Sequence, residues 1–474
     1  MTGSMYAAVS GLKAHMSALN VIGNNVSNVN TLGYKATRYT FNEALYTTTR
    51  SGSDGTATAG GRNPAQIGFG ASIGTIDIDM STKNYTPTGW GLDTMIDGDG
   101  FFIVGDKVVG ADDLSKISLN DLTTLKAMNL TRLGRFNIDP NGFLVDGNGQ
   151  VVWGFAATQT AKAYNLKTGA AVDVEVDATT GKVTLPADAV TAGAKLLTDM
   201  TADDIKTLNS ARKKAGLPEL TNIEYTEKVE LDDAGKPKVD GNGDPVYVKD
   251  NNGNVIMVVK SASVPSTDLS PMRMPVLKTT TVMEENKDAK EGEDKYFIPN
   301  NPTVRKEVIW VDPNTLADGA EVGTLETIPK ADETLAEGAE ACRIEYTRLE
   351  SDSVTIDEKT GALRVMTSDG TLYTVGYIAI AKVTNPNGVT HVDGRYYQAQ
   401  GGAGTIRVTS VGGAVAGVET SGDTELITGG LESSGTDLAT EITNMITVQR
   451  GYQANTRIVT VTDTMLEELV NMKR

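Results

Sequence analysis

Two histidines, His15 and His391, and one cysteine, Cys342, are the side chains here best suited to proton transfer or nucleophilic attack. Neither histidine stands in a triad motif. His15 falls on an apolar helical seam, where packing is expected. His391 follows a turn and is expected at the surface. Cys342, in "EACRIEY", is expected to pack as a small apolar residue on a strand, with a functional thiol as the secondary reading. A lone cysteine permits no disulfide within the chain and no cysteine-cluster zinc site. "GFGASIG" (68–74) lacks the spacing of a dinucleotide fingerprint, and an alternating strand follows where a helix is required. "DGNGD" (240–244) and "DNNGN" (250–254) suggest calcium loops. Counting from Asp240, however, Pro245 stands where glycine is needed and Asn251 where glutamate is needed. "DGDG" (97–100) fails in the same way. These runs are expected to be turns. No catalytic set, metal site or cofactor site emerges, and the chain is expected not to be an enzyme.

The strongest spacing belongs to the ends. Met5, Ala8, Leu12, His15, Leu19, Ile22, Val26 and Val29 alternate by three and four, a heptad seam on a helix. Asn20, Asn24, Asn25, Asn28 and Asn30 lie beside it although asparagine is a poor helix former. From Asp437, a plausible N-cap, a second helix carries Ile442, Met445, Gln449, Tyr452, Thr456, Val459, Leu466 and Val470 at heptad positions. Ile446, Val448, Ile458, Val461, Met465, Leu469 and Met472 fall off that seam. A helix apolar over so wide an arc should be buried on several sides. A monomer offers it one layer, so assembly with neighbouring copies is expected.

Charge is distributed accordingly. The net charge of −18 argues against nucleic acid and anionic membrane as partners. Residues 1–80 carry five cations and four anions, and residues 431–474 carry four and six, so the centre is acidic and the ends nearly neutral. No apolar run approaches the roughly 18 residues that span a bilayer. Residues 1–30 lack the basic leader and apolar core of a cleaved signal.

Between the ends the pattern is mainly β. "IGTIDIDM" (73–80) alternates strictly. "LTRLGRFNIDPNGFLVDGNGQVVWGF" (130–155) reads as three strands joined by the Asp139–Gly142 and Gly147–Gly149 turns. Residues 353–388 repeat that style. Thr201 and Asp204 form a capping-box pattern for a helix with Ile205, Leu208 and Ala211 on one face, stopped at Gly216-Leu217-Pro218. Another helix is expected within 111–128. The expected organisation is an N-terminal helix (1–34), a linker (35–72), a β-rich middle domain from both flanks (73–155 and 351–430), an inserted β-rich outer domain of one or two parts (156–350) and a C-terminal helix (431–474).

"SMYAAVSGLKAHMSALNVIGNNVSNVNTLGYKATR" (4–38) resembles the amino-terminal signature of the bacterial flagellar rod–hook axial proteins, with "IGNNVSNVNTLGYK" its most diagnostic part. "NPAQIGFGASIGTID" (63–77), "GDGFFIV" (98–104), residues 130–155, "LSPMRMPV" (269–276), "NPNGVTHVDGRYYQA" (385–399) and "GGLESSGTDLATEITNMITVQRGYQANTRIVTVTDTMLEELVNM" (429–472) are similar to the family's motifs, in its order. One departure precedes the last helix. The family's Ser-Asn-Val-Asp is here Ser434-Gly435-Thr436-Asp437, a change expected to loosen the helix start.

The resemblance implies a structural subunit that polymerises into a curved tube, the universal joint carrying motor torque from rod to filament. Its helices would be coiled coils lining an export channel. The hydrophobic face of 5–29 would pack on 437–472 and the other sides would meet sister copies. The self-assembly set would be Met5, Leu12, Leu19, Ile22, Asn24, Val26, Asn28, Val29, Ile442, Met445, Tyr452, Val459, Leu466 and Val470. Asn20, Asn24 and Asn28 would exchange amide hydrogen bonds between subunits or face a wet channel. Implied partners are further copies, a hook-cap protein, the distal rod protein, a hook–filament junction protein and the flagellar type III export apparatus. The implied location is the flagellum outside the cell, reached without a cleaved signal peptide. Some family members carry a lysine–cysteine cross-link, for which Cys342 is the candidate here. A distal rod protein and an extracellular β-rich enzyme or adhesin are the alternative readings.

Overall fold

The computed structural model describes residues 2–52, 54–55, 60–106, 117–159, 163–176, 183–228, 230, 238, 246–249, 254–285, 295–299, 302–309, 325–328, 341–348, 354–366, 372–392 and 394–472. The Asp240–Asp244 turn and most of the 250–254 turn lie outside these residues. The chain is mainly β with helical ends. Helices Thr2–Ser27 and Leu438–Asn471 bracket a β-rich centre.

The middle of the molecule is organised by the strand Leu372–Val383. It pairs antiparallel with Val151–Gln159, Ala362–Met366, Phe101–Gly105 and Ile406–Ser410. Its sequence, "LYTVGYIAIAKV", is nearly continuous in apolar residues because both faces of the sheet are covered. Ile378 and Ile380 point into one core with Phe102, Val104, Val152 and Phe136. Ala379 and Ala381 point into the other with Phe101, Ile103, Trp153 and Phe155. Both sequence flanks build this unit. Thr94–Asp97 pairs with Glu425–Thr428, and Tyr85–Pro87 with Gly430–Glu432. The 130–155 stretch folds as strand, turn, strand, turn, strand, and Gly142 and Gly149 take the positive φ those turns require.

The described part of 35–72, expected as a linker, includes strands. Thr37–Glu43 pairs with Ala71–Ile78, and Tyr46–Arg50 with Ala65–Gly68. Threonine and tyrosine suit a pleated strand, but a solvated pair of strands shows little apolar alternation to read.

The 156–350 insertion makes two excursions. The first packs Tyr164, Met200, Ile205, Leu208, Leu220 and Val259 together. Its helix, Ala202–Lys214, has both arms of the Thr201–Asp204 capping box. The inward face differs from expectation at its end: Arg212 is buried, donating to the carbonyls of Pro218 (2.6 Å) and Gly169 (2.8 Å). The chain then returns to the middle core, where Met272 and Met274 are buried. The second excursion is a four-stranded sheet of Val276–Val282, Val304–Ile309, Leu325–Ile328 and Cys342–Arg348. Cys342 sits half-buried on its strand, opposite Val282 and Ile328. Of the helix expected within 111–128, Leu122–Ala127 is helical and capped by Asp121, and 111–116 lie outside the described residues.

The helices meet the middle domain at a buried ion cluster. Lys35 Nζ lies 2.7 Å from Glu432 Oε1, with both side chains out of solvent. Arg132 Nε lies 3.4 Å from Glu432 Oε2. Lys35 also donates to the Ser81 carbonyl (2.8 Å), and Arg132 to those of Gly98 (2.8 Å) and Gly100 (2.7 Å). Burial, reinforced by Arg132 and opposed by Glu432, pushes the Lys35 ammonium down to about 8. Two cations thus share one carboxylate. Glu432→Gln removes the only anion of this cluster and should cost about 3–5 kcal/mol in chemical denaturation, since it leaves buried charge uncompensated. The lysine adds a pH signature. Its folded value lies below the ordinary 10.5, so the unfolded chain holds the extra proton between about pH 8 and 10.5. Stability contributed by this group should therefore rise with pH across that window, and the rise should vanish in Lys35→Met.

Candidate assembly surface of the terminal helices

The two terminal helices run antiparallel. Asn25 meets Glu441, Ala18 and Ile22 cluster with Val448, His15 faces Gly451 and Gly11 faces Asn455. The seam is made of small residues. Ala8, Gly11, Ala14, Ala18, Val21, Ile22 and Asn25 are the buried positions of the N-terminal helix. The C-terminal helix buries Val448 and Thr462. The approach is close. A β-carbon at Gly11 would stand 2.8 Å from Asn455 Nδ2, and one at Gly451 would stand 2.6 Å from the His15 ring. The strands of 37–78 pack on the same helix. Tyr39 and Ile73 join its cluster, the Phe41 ring meets His15 edge-on at 5.4 Å, and Ser10 Oγ donates to the Phe69 carbonyl (3.1 Å).

Asn25 is the polar centre of the joint. Its Nδ2 donates to the Thr37 carbonyl (2.8 Å) and to Glu441 Oε1 (3.0 Å). Its Oδ1 accepts from Thr37 N (3.0 Å) and from the Tyr34 hydroxyl (3.0 Å), whose own titration burial pushes up. Asn24 Nδ2 donates to Tyr34 Oη (3.1 Å), and Asn28 Nδ2 to the Asn24 carbonyl (2.9 Å). These amides therefore spend part of their capacity inside the subunit. Gly435, which stands where the family has asparagine, is tied to the chain after the N-terminal helix. Its N–H donates to the Tyr34 carbonyl (2.8 Å), and a β-carbon there would crowd Ala36 N at 3.1 Å. Asp437 caps the helix from Ala439 N (3.0 Å), and hydrogen bonds from Thr440 and Ala439 hold its carboxyl below the ordinary range.

The heptad residues expected to pack the two helices together lie only partly on the seam, which Ala8, His15 and Ile22 enter. Ile22 is buried, and Leu19, Val26 and Met445 flank the cluster. Leu12, Val29, Val459 and Leu466 are half-buried, as is Asn28, whereas Asn24 is exposed. Met5, Ile442, Tyr452 and Val470 are exposed. Small residues took the seam because they allow the closest approach, which leaves the larger apolar groups outward. Met5, Tyr6 and Met16 stand out on one helix; Leu438, Ile442, Ile446, Tyr452, Ile458, Val461, Met465, Leu469, Val470 and Met472 stand out on the other. Singly exposed apolar residues are ordinary, but a continuous row marks an interaction surface.

The family model "Flagella basal body rod protein" matches residues 5–35, and "Flagellar basal body rod FlgEFG protein C-terminal" matches 427–472. These are the two helices and the chain beside them. The flagellar hook protein of Borreliella burgdorferi is 25% identical over the full length of both chains. The hook protein of Treponema pallidum is likewise 25% identical over both full lengths. The chain belongs to the flagellar rod–hook proteins. Within them it is a hook structural subunit, part of the flagellum outside the cell. The distal-rod reading is weaker. The basal-body rod protein of Bacillus subtilis is 42% identical, but over 31% of this chain and 50% of that one.

The helix seam is testable in assembled protein. Gly451→Val drives two further methyls at the His15 ring and should cost the pair about 1–3 kcal/mol by overpacking, read as a lower thermal midpoint. His15→Ala in the same chain should recover part of the loss.

Proposed function

We propose that the chain polymerises through its terminal helices into a curved tube that acts as the flexible joint between flagellar rod and filament. The observation that carries this reading is the run of large apolar side chains on both helices that their mutual seam leaves in water. Head-to-tail burial of such rows gives an open helical assembly, because nothing forces ring closure. The middle domain forms the next layer, and the acidic excursions lie outermost, hydrated and free to slide as one side of a curve shortens. The role is mechanical and needs no catalytic group. The distal rod protein below, a hook–filament junction protein above, a hook-cap protein during growth and the flagellar type III export apparatus are the partners proposed with it. The family's lysine–cysteine cross-link is proposed at Cys342, and mass spectrometry of boiled tubes tests it.

In dilute monomer neither helix has enough buried surface to hold it, so both ends should lose structure before assembly. Amide exchange should be fast across 2–30 and 438–472 in monomer and at least 100-fold slower in tubes; equal protection in both would contradict the reading. A chain truncated before Leu438 should build no tubes, and curved tubes from it, seen by electron microscopy, would overturn the proposal.

A further inference from the structure

We infer that the outward apolar row of the N-terminal helix seats on the last part of the C-terminal helix of a second copy. This rests on the self-assembly reading above and names the pairing within it. The first row is Met5, Val9, Leu12, Met16 and Leu19, in steps of four and three, a heptad row. It lies ~130° around the helix from the small-residue seam. Met5 and Met16 are 40% and 52% exposed, and Val9, Leu12 and Leu19 are half-buried. The second row is Ile458, Val461, Met465, Leu469 and Met472, 44%, 51%, 51%, 44% and 82% exposed. It lies ~140° from the Leu438, Ile442 and Ile446 row, so the two halves of this helix face different neighbours.

The two rows match. Residues 5–19 and 458–472 are equally long, about 21 Å each. Copies in a helical assembly share one polarity, so an N-terminal helix meets a neighbour's C-terminal helix antiparallel, as it does its own. Reversed, the rows align at four of five positions, Met5 with Met472, Leu12 with Met465, Met16 with Val461 and Leu19 with Ile458, and Leu469 falls one residue from the place opposite Val9. This is not the contact inside the chain, where His15 faces Gly451. The second copy is shifted by about eleven residues, ~16 Å along the axis. The contacts use different faces that meet at Leu19, which also flanks the Ala18, Ile22 and Val448 cluster, so one N-terminal helix can lie between two C-terminal helices. Charge agrees. Lys13 is the only charged residue of the N-terminal helix, and the C-terminal helix from Ile458 to Asn471 carries Asp463, Glu467 and Glu468 without a cation. That acidic flank suits a second copy and disfavours an anionic lipid surface.

The test is cross-linking of the full-length chain in a Cys342→Ser background. Oxidised tubes of Met16→Cys/Val461→Cys should give a ladder of multimers on a non-reducing gel, and dilute monomer should give a single band. Met16→Cys/Ile442→Cys should give no ladder in tubes. Leu12→Cys/Met465→Cys repeats the test in the same register should the first pair block assembly. Intact tubes without a ladder from either pair would overturn the pairing while leaving self-assembly standing. Absence of tubes from the unmodified chain would instead refute self-assembly. Met16→Glu/Met465→Glu should lower the yield of tubes at least tenfold, and normal tubes from it would overturn the pairing on their own.

Discussion

The close approach of Gly11 to Asn455 and of Gly451 to His15 governs how the ends of this chain are used. A helix pair in a monomeric protein usually buries its largest apolar residues against its partner, since buried area drives packing. Here alanine, glycine and asparagine occupy much of the contact, and methionine, isoleucine and leucine stay outside. A narrow seam brings the backbones together and still leaves a second and third face of each helix apolar. Area that the chain withholds from itself is available to its copies.

The ends also have to be joined to a rigid body. Residues 28–36 and 431–437 run side by side as a neck between helices and β domain. Gly33 N donates to the Glu432 carbonyl, Gly435 N to the Tyr34 carbonyl, and Ser434 Oγ to the Asn28 carbonyl. Lys35, Glu432 and Arg132 close its lower end and Asn25 its upper end. The price of burying two cations and one carboxylate is high, and an apolar trio of the same shape would be at least as stable. What the ions add is direction. Lys35 and Arg132 each spend several donors on fixed carbonyls of the 80–100 loops, so the neck meets the middle domain at one angle.

Some of this was legible in the residues. The capping box at Thr201, the Asp139–Gly142 turn and the both-faces burial of 372–383 follow from local rules. The helical ends and their apolar excess were equally plain. The seam was read in part: Ile22, Leu19, Val26 and Met445 do meet there, but heptad spacing reports where large residues repeat, not which of several apolar faces meets which neighbour. Ala8, Gly11, Ala14 and Ala18 repeat just as regularly but carry little hydrophobic weight. Lys35 and Glu432 are some 400 positions apart, and nothing local marks them as partners. Asn25 left a fainter signal: an amide on the buried side of a helix needs a polar partner, and Glu441 lies opposite it. The alternation of 73–80 marked Ala71–Ile78, but the strands between 37 and 68 escaped because solvated, threonine-rich runs such as Tyr46–Arg50 carry no core pattern.

The neck is also where load must cross. In the tube proposed above, torque entering the helices would reach the β domains through two chain segments and the bonds between them. Covalent backbone resists stretching, but two single strands alone would pivot freely. Cross-ties from Asn25 to Glu441, Ser434 to the Asn28 carbonyl, Gly435 to the Tyr34 carbonyl, and Gly33 and Lys35 to Glu432 make the pair behave as one short ribbon. A ribbon bends across its thin direction and resists twist about its length when its edges are tied. Bending with torsional stiffness is what a flexible coupling requires of each of its subunits.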